Sequence, residues 1–212
     1  MRSCSKSALS ASASRAEEPL ARGAVAAALS AVLLTPEHAA ALEVHGRDDA
    51  AVLVPLFIQG GELHVVLTRR RDDLRRHAGE ISFPGGRRDD ADRDLLACAL
   101  REAHEEIGIP AEAVEIVGAL QPTPPIATNY AVYPFVGLVE PGFAWEPSDS
   151  EVAEVLELSL ADLRAGHTRK RMMRRGVPFR TDVHVVGDAL VWGATARMLG
   201  DLLERMPPEL GR

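Results

Sequence analysis

Residues 81–109, ISFPGGRRDDADRDLLACALREAHEEIGI, demand two changes of backbone geometry in quick succession. The β-prone run ISF meets Pro84, Gly85 and Gly86, which interrupt a regular element. Apolar residues then return at helical spacing. At about 100° per residue, Leu96, Ala99, Leu100, Ala103 and Ile107 share one face. Asp92 is placed to cap the start of this helix, and Gly108 with Pro110 ends it at Ile107. A strand, a glycine break and an amphipathic helix in this order predict a helix laid against a sheet.

The flanking sequence supplies that sheet. AVLVPLFI (51–58) and LHVVLTRR (63–70) are apolar runs joined by QGGE, where Gly60 and Gly61 suit a tight turn, so an antiparallel hairpin is expected. RDDLRRHAGE then follows as a polar loop. AVEIVGAL, YAVYPFVGLV and EVAEVLEL are further strands, HVVGDALVWG is a last hairpin, and ATARMLGDLLERM is a terminal amphipathic helix. EPLARGAVAAALSAVL is an Ala-rich helix ahead of them. Because strands and helices do not alternate regularly, the expected class is α/β, a mixed-sheet α/β/α sandwich rather than a doubly wound sheet. The expected division is a disordered tail (1–17), a helical extension (18–48), the main domain (49–206) and a short C-terminal tail (207–212).

The composition narrows the partners. Hydrophobic residues make up 46% of the 212, ample for a core, and the net charge of −7 leaves no general basic footprint for nucleic acid. An anionic ligand must therefore be held by local charge or by a metal. The two cysteines, Cys4 and Cys98, have no metal-site or disulfide spacing, so a reducing compartment is expected. No run is long and apolar enough for a membrane span, and no membrane partner is expected. A cytoplasmic protein fits best, while the basic, Ser/Ala-rich start MRSCSKSALSASASR leaves an organellar transit peptide as the minority reading.

The helix itself carries the chemistry. Glu102, Glu105 and Glu106 crowd the face beside the apolar stripe, near the C-terminal end, where the helix dipole disfavours anions. A hard divalent cation such as Mg²⁺ would offset that repulsion by taking carboxylate oxygens, and Arg101 would offset part of it one turn from Glu105. The bland alternative is a solvated acidic face.

REAHEEIGI, residues 101–109, resembles the end of the Nudix hydrolase signature, R-E-U-x-E-E-x-G-U with U apolar, at every fixed position. The front half departs: Arg87 and Arg93 stand where the signature has glycine and glutamate, and Gly86 and Asp92 offer similar chemistry one residue away. Upstream, VLTRRRDDLRRHAGEISFPGG (66–86) resembles the motif of the coenzyme A pyrophosphatase subgroup, L-L-T-x-R-[SA]-x3-R-x3-G-x3-F-P-G-G. Leu67, Thr68, Arg70, Arg75, Gly79, Phe83, Pro84, Gly85 and Gly86 fit it, while Val66 and Arg71 depart. Weaker similarity continues to about residue 204.

The resemblance implies a Mg²⁺- or Mn²⁺-dependent hydrolase that splits the pyrophosphate of coenzyme A or a derivative into 3′,5′-ADP and 4′-phosphopantetheine. It implies Glu102, Glu105 and Glu106 as metal ligands, with Glu105 alternatively the base for the attacking water and Arg101 orienting it. Arg70, Arg75, Gly79, Phe83, Gly85 and Gly86 fall to the substrate, the arginines as bidentate phosphate donors and the glycines as points of close backbone approach. Arg71, Arg76, Arg87 and Arg88 extend the expected basic patch. ADP-ribose or NADH as substrate, and a nucleotide-binding regulator without turnover, are the alternatives. His77 is expected to be an exposed loop histidine, and Phe135 and Trp192 to belong to the core.

Overall fold

The computed structural model describes residues 20–42, 44, 48–74, 77–124, 130–174 and 176–210. Cys4, the expected N-terminal tail, Arg75, Arg76 and residues 211–212 lie outside the described residues. The Ala-rich segment forms α1 (Arg22–Ser30) and is followed by a short α2 (Pro36–Ala41), where Thr35 accepts the His38 amide.

The expected hairpin forms. β1 (Asp48–Gln59) and β2 (Glu62–Arg70) pair antiparallel around Gly60 and Gly61, both at positive φ. Their pairing covers only residues 56–59 and 62–65, and then the strands part. Each takes a short new partner in the gap: β3 (Ile81–Ser82) joins β2 at Thr68 and Arg69, and β4 (Gly85–Arg87) joins β1 at Ala50 to Val52. The break expected at residues 84–86 is thus partly a strand. Gly85 makes this possible, because at φ 152° a Cβ would stand 2.4 Å from the Ala51 carbonyl oxygen.

α3 (Leu95–Ile107) follows, closed by Gly108 at φ 76°. β5 (Glu115–Ala119) pairs antiparallel with β6 (Tyr130–Leu138), which runs parallel to β1 along nine register pairs, and β7 (Val152–Ser159) pairs antiparallel with β2. The result is a seven-stranded mixed sheet. β1 is apolar from Ala50 to Ile58 because both of its faces are covered there. Leu53 and Phe57 pack with Ala103 and Ile107 of α3, whereas Val52, Val54 and Leu56 join Val25 of α1 and the C-terminal helix. This is the expected α/β/α sandwich.

After α4 (Leu160–Ala165), a second sheet of β8 (His167–Arg174), β9 (Val177–Val186) and β10 (Ala189–Trp192) leads into α5 (Gly193–Arg205). The expected last hairpin is β9–β10. β8 had no counterpart in the sequence reading, since HTRKRMMR is too charged to show apolar alternation. Beyond α5 the chain turns at Pro208–Leu210 and buries Leu210 in the main core.

Candidate functional site

The carboxylates are sorted by depth because the buried stripe of α3 is rotated from the one the apolar pattern suggests. Leu95, Cys98, Ala99, Ala103, Glu106 and Ile107 are the buried positions, while Leu96 and Leu100 are only partly covered. Glu106 is therefore buried at 6% exposure, the Glu102 side chain keeps 19%, and that of Glu105 keeps 57%. Depth then sets their acidity. Burial pushes the Glu106 carboxyl up to about 7; the Gly85 amide and Arg70 oppose that rise, and the charges of Glu102 and Glu151 add to it. Glu102 is also raised, mainly by burial, against the pull of Arg101.

Arg101 organises the opposite side of the cluster. Its Nε and Nη2 donate to Asp92 Oδ1 and Oδ2 at 2.8 and 2.9 Å, and its Nη1 lies 3.0 Å from both Glu102 Oε1 and Glu105 Oε2. Asp92 is not the helix cap. Asp94 takes that role by accepting the Ala97 amide at 2.7 Å, because Asp92 is occupied by Arg101 and by the Asp89 amide. The bidentate contact holds the Asp92 carboxyl down at about 2. The residue one place from the signature's glutamate position thus holds the signature arginine, and Arg93 itself points outward, 84% exposed. Cys98 sits beneath this pair, its thiol pushed up to about 12 by burial.

The glycine segment closes on the helix from β4. The Gly85 amide donates to Glu106 Oε2 at 3.3 Å, and a Cβ on Gly86 would lie 2.6 Å from the Glu102 carboxylate. The bare Gly86 thus leaves room for the Glu102 carboxylate, while Gly85 lets β4 lie close against β1 with its amide aimed at Glu106. Phe83, expected beside the substrate, is instead 1% exposed in the main core, where it anchors this segment. Gly79 closes the preceding loop at φ 68°, its amide donating to the Arg70 carbonyl.

Arg70 reaches into the site from the end of β2. Its Nη1 lies 3.8 Å from Glu106 and its Nη2 3.2 Å from Glu151, while its Nε is buried without a hydrogen-bond partner among the described residues. The wider basic patch is not a free cluster among the described residues. Arg71, the departure from the motif, is clamped bidentately by Asp73, and Arg87 lies toward Asp48. His77 is paired with Glu80 at 2.7 Å. Phe135 is in the core, and Trp192 is partly covered near Phe179.

Glu151 was missed by sequence reasoning. It comes at the end of a loop that docks on the C-terminus of α3, where the Glu146 amide donates to the Ile107 carbonyl and the Ser148 amide to that of Glu106. No spacing rule links residue 151 to 106, so only this docking could reveal it. Glu102 and Glu106 suit a hard divalent cation: two oxygen donors one turn apart, half-buried to buried, repelled by Glu151 and by each other. Glu105 faces Arg101, and among the described residues no three ligating side chains converge.

The comparisons agree with this architecture. The NUDIX domain family matches residues 47–176. An uncharacterized Nudix hydrolase, NudL, of Cronobacter sakazakii is 43% identical over 155 residues, spanning 72% of this chain and 80% of that protein. The protein of the same name in Salmonella paratyphi B is 40% identical over 162 residues, 76% and 83% of the two chains. A MutT/nudix family protein from Enterococcus faecalis shares the fold with a TM-score of 0.54 and 16% identity, over 77% of this chain and 63% of its own. With the signature arginine and glutamates on one helix and the glycine segment folded onto them, this chain belongs to the Nudix hydrolase family.

Proposed function

We propose that the protein hydrolyses the pyrophosphate bond of coenzyme A or an acyl derivative, giving 3′,5′-ADP and 4′-phosphopantetheine or its acyl form. The observation that carries this reading is the course of the 66–86 segment. Arg70 at the end of β2 and Gly85–Gly86 of β4, fixed positions of the motif it resembles, border the Glu102–Glu106 pair. Nudix hydrolases generally use divalent metal ions. Bound here as Mg²⁺ or Mn²⁺, the ion would supply charge neutralisation at the pyrophosphate and a more acidic water.

The protein's own groups do the rest. Glu102 and Glu106 hold the ion, and Glu151 is near enough to strengthen the local negative potential. Arg70 supplies positive charge at the same place. The long contact of its Nη1 to Glu106 leaves donor capacity for a phosphate oxygen. Glu105 is open to water and fixed by Arg101, which suits it to take the proton of the attacking water. Arg101 in turn is fixed by Asp92.

The test is hydrolysis of coenzyme A, ADP-ribose and NADH, each with and without Mg²⁺ or Mn²⁺, beside Glu106→Gln. Metal-dependent release of 3′,5′-ADP from coenzyme A, lost in the variant, is the expected result. Faster cleavage of ADP-ribose or NADH would refute the substrate while keeping the site. Tight nucleotide binding without turnover of any of them would refute the enzyme in favour of a regulator.

A further inference from the structure

The β8–β9 hairpin is chemically unlike the rest of the molecule. Between Asp162 and Asp182 there is no acidic residue, yet Arg164, Arg169, Lys170, Arg171, Arg174, Arg175 and Arg180 fall there, in a chain of net charge −7. Arg169 lies 3.6 Å from Asp182, but Lys170, Arg171 and Arg180 have no ionic partner among the described residues. Arg171 stands directly opposite Arg180 in the ladder, an arrangement that works against the hairpin it sits in.

β8 is the outer strand of its sheet, and cations guard such edges against pairing with another chain. That accounts for Lys170 and Arg171. It does not account for the tip, where Met173 and Val177, 66% and 64% exposed, are the exposed large hydrophobic residues of the described structure. Met173 pairs with Pro178 and Val177 with Arg174, so strand alternation puts apolar groups on both faces of the last two rungs. An acidic partner protein or a nucleic acid would use the cations but not this aliphatic end. Single-stranded nucleic acid in particular is bound by exposed aromatic rings, whereas Phe179 is partly covered near Trp192.

We propose that this hairpin is a docking arm for an anionic lipid surface, its tip entering the headgroup boundary with Met173 and Val177, flanked among the acidic headgroups by Arg169, Arg171 and Arg180 on one face and Lys170 on the other. Apolar groups that penetrate slightly, backed by cations that stay in the headgroup layer, are the two attractions that hold a protein on a bilayer without crossing it. No described helix is long and apolar enough to cross. The attachment is therefore peripheral, and it departs from the expectation of no membrane partner. The remaining net negative charge of the protein would orient the hairpin toward the surface and the acidic body away from it.

The test is co-sedimentation of the full chain with vesicles of phosphatidylcholine alone or mixed with phosphatidylserine, at low and high salt. Binding is expected only to the phosphatidylserine vesicles, and it should weaken with salt. Each cation near such a surface strengthens binding ~5-fold, so the triple variant Lys170→Glu, Arg171→Glu, Arg180→Glu should lose more than ~100-fold. Met173→Ser with Val177→Ser should weaken binding several-fold, while both variants keep the wild-type circular dichroism and hydrolysis in solution. No binding at low salt, equal binding to both vesicles, or binding unaffected by the charge reversal would overturn the proposal. So would displacement of the protein from vesicles by single-stranded RNA at much lower concentration than by free phosphatidylserine headgroup.

Discussion

Replacing Glu106 by glutamine is expected to stabilise the protein at alkaline pH when divalent ions are removed. The unfolded chain ionises this carboxyl near its ordinary value of 4.5, whereas burial in the native state holds the proton up to about 7. Between those values the folded state binds more protons than the unfolded one, so native stability must fall as pH rises through the window. Each pKa unit corresponds to about 1.4 kcal/mol, so the ionised side chain costs the native state roughly 3 kcal/mol by about pH 8. Glutamine cannot ionise. Its carbonyl oxygen can still accept the Gly85 amide, but its NH₂ then faces the Arg70 guanidinium, which sits 3.8 Å from the present carboxylate. Discounting about 1 kcal/mol for that poorer contact leaves a net gain of about 2 kcal/mol at about pH 8, whereas at about pH 4.5 the same discount leaves the variant about 1 kcal/mol less stable than wild type. Urea denaturation in chelator at the two pH values, wild type beside variant, measures this directly. Adding Mg²⁺ should then stabilise the wild type and not the variant. A Glu106→Gln protein less stable than wild type by the same amount at both pH values would refute the reasoning, because the loss would then come from packing rather than buried charge.

The glycine segment gives a pair of contrasting outcomes. Gly86→Ala places its Cβ against the movable Glu102 carboxylate, so hydrolysis should fall at least ~10-fold with the urea midpoint nearly unchanged; Gly85→Ala meets the β1 backbone and should cost ~3 kcal/mol or more. Asp92→Asn removes the bidentate ionic contact of Arg101, which keeps its contacts to Glu102 and Glu105, and should cost ~1–2 kcal/mol in a urea titration at neutral pH, after allowance for solvent screening. The wild-type share of that stability is present above pH 3.8 and is lost as pH falls through about 2, so the difference between wild type and variant should shrink under acid. Native Cys98 should resist iodoacetamide at neutral pH and react only on unfolding, as followed by mass spectrometry, since its thiol is buried and ionises at about 12.

The expected hairpin, the end of α3 at Gly108 and the terminal helix were legible because each rests on short-range rules: positive-φ glycines, apolar periodicity and helix breakers. β8 was not. Its side chains are mostly exposed and charged, and its strand state depends on pairing with β9 rather than on any pattern of its own. β4 was hidden for a related reason, since three residues containing two glycines pair only because β1 has already parted from β2.

The sequence by itself determined the nucleus of the site: the 101–106 stretch is a local object, and its spacing alone puts the three carboxylates and Arg101 within about a turn and a half of one helix. Tertiary structure decided what each of them can do. A slight rotation of the buried stripe makes Glu106 a buried group and leaves Glu105 in water, although they are neighbours in the chain. Asp92 binds Arg101 rather than capping the helix, Phe83 lies in the core, and Glu151 arrives from a loop docked on the helix end. Acidity and access depend on how much water the rest of the fold excludes, and that is a sum over distant segments that no local window of sequence contains.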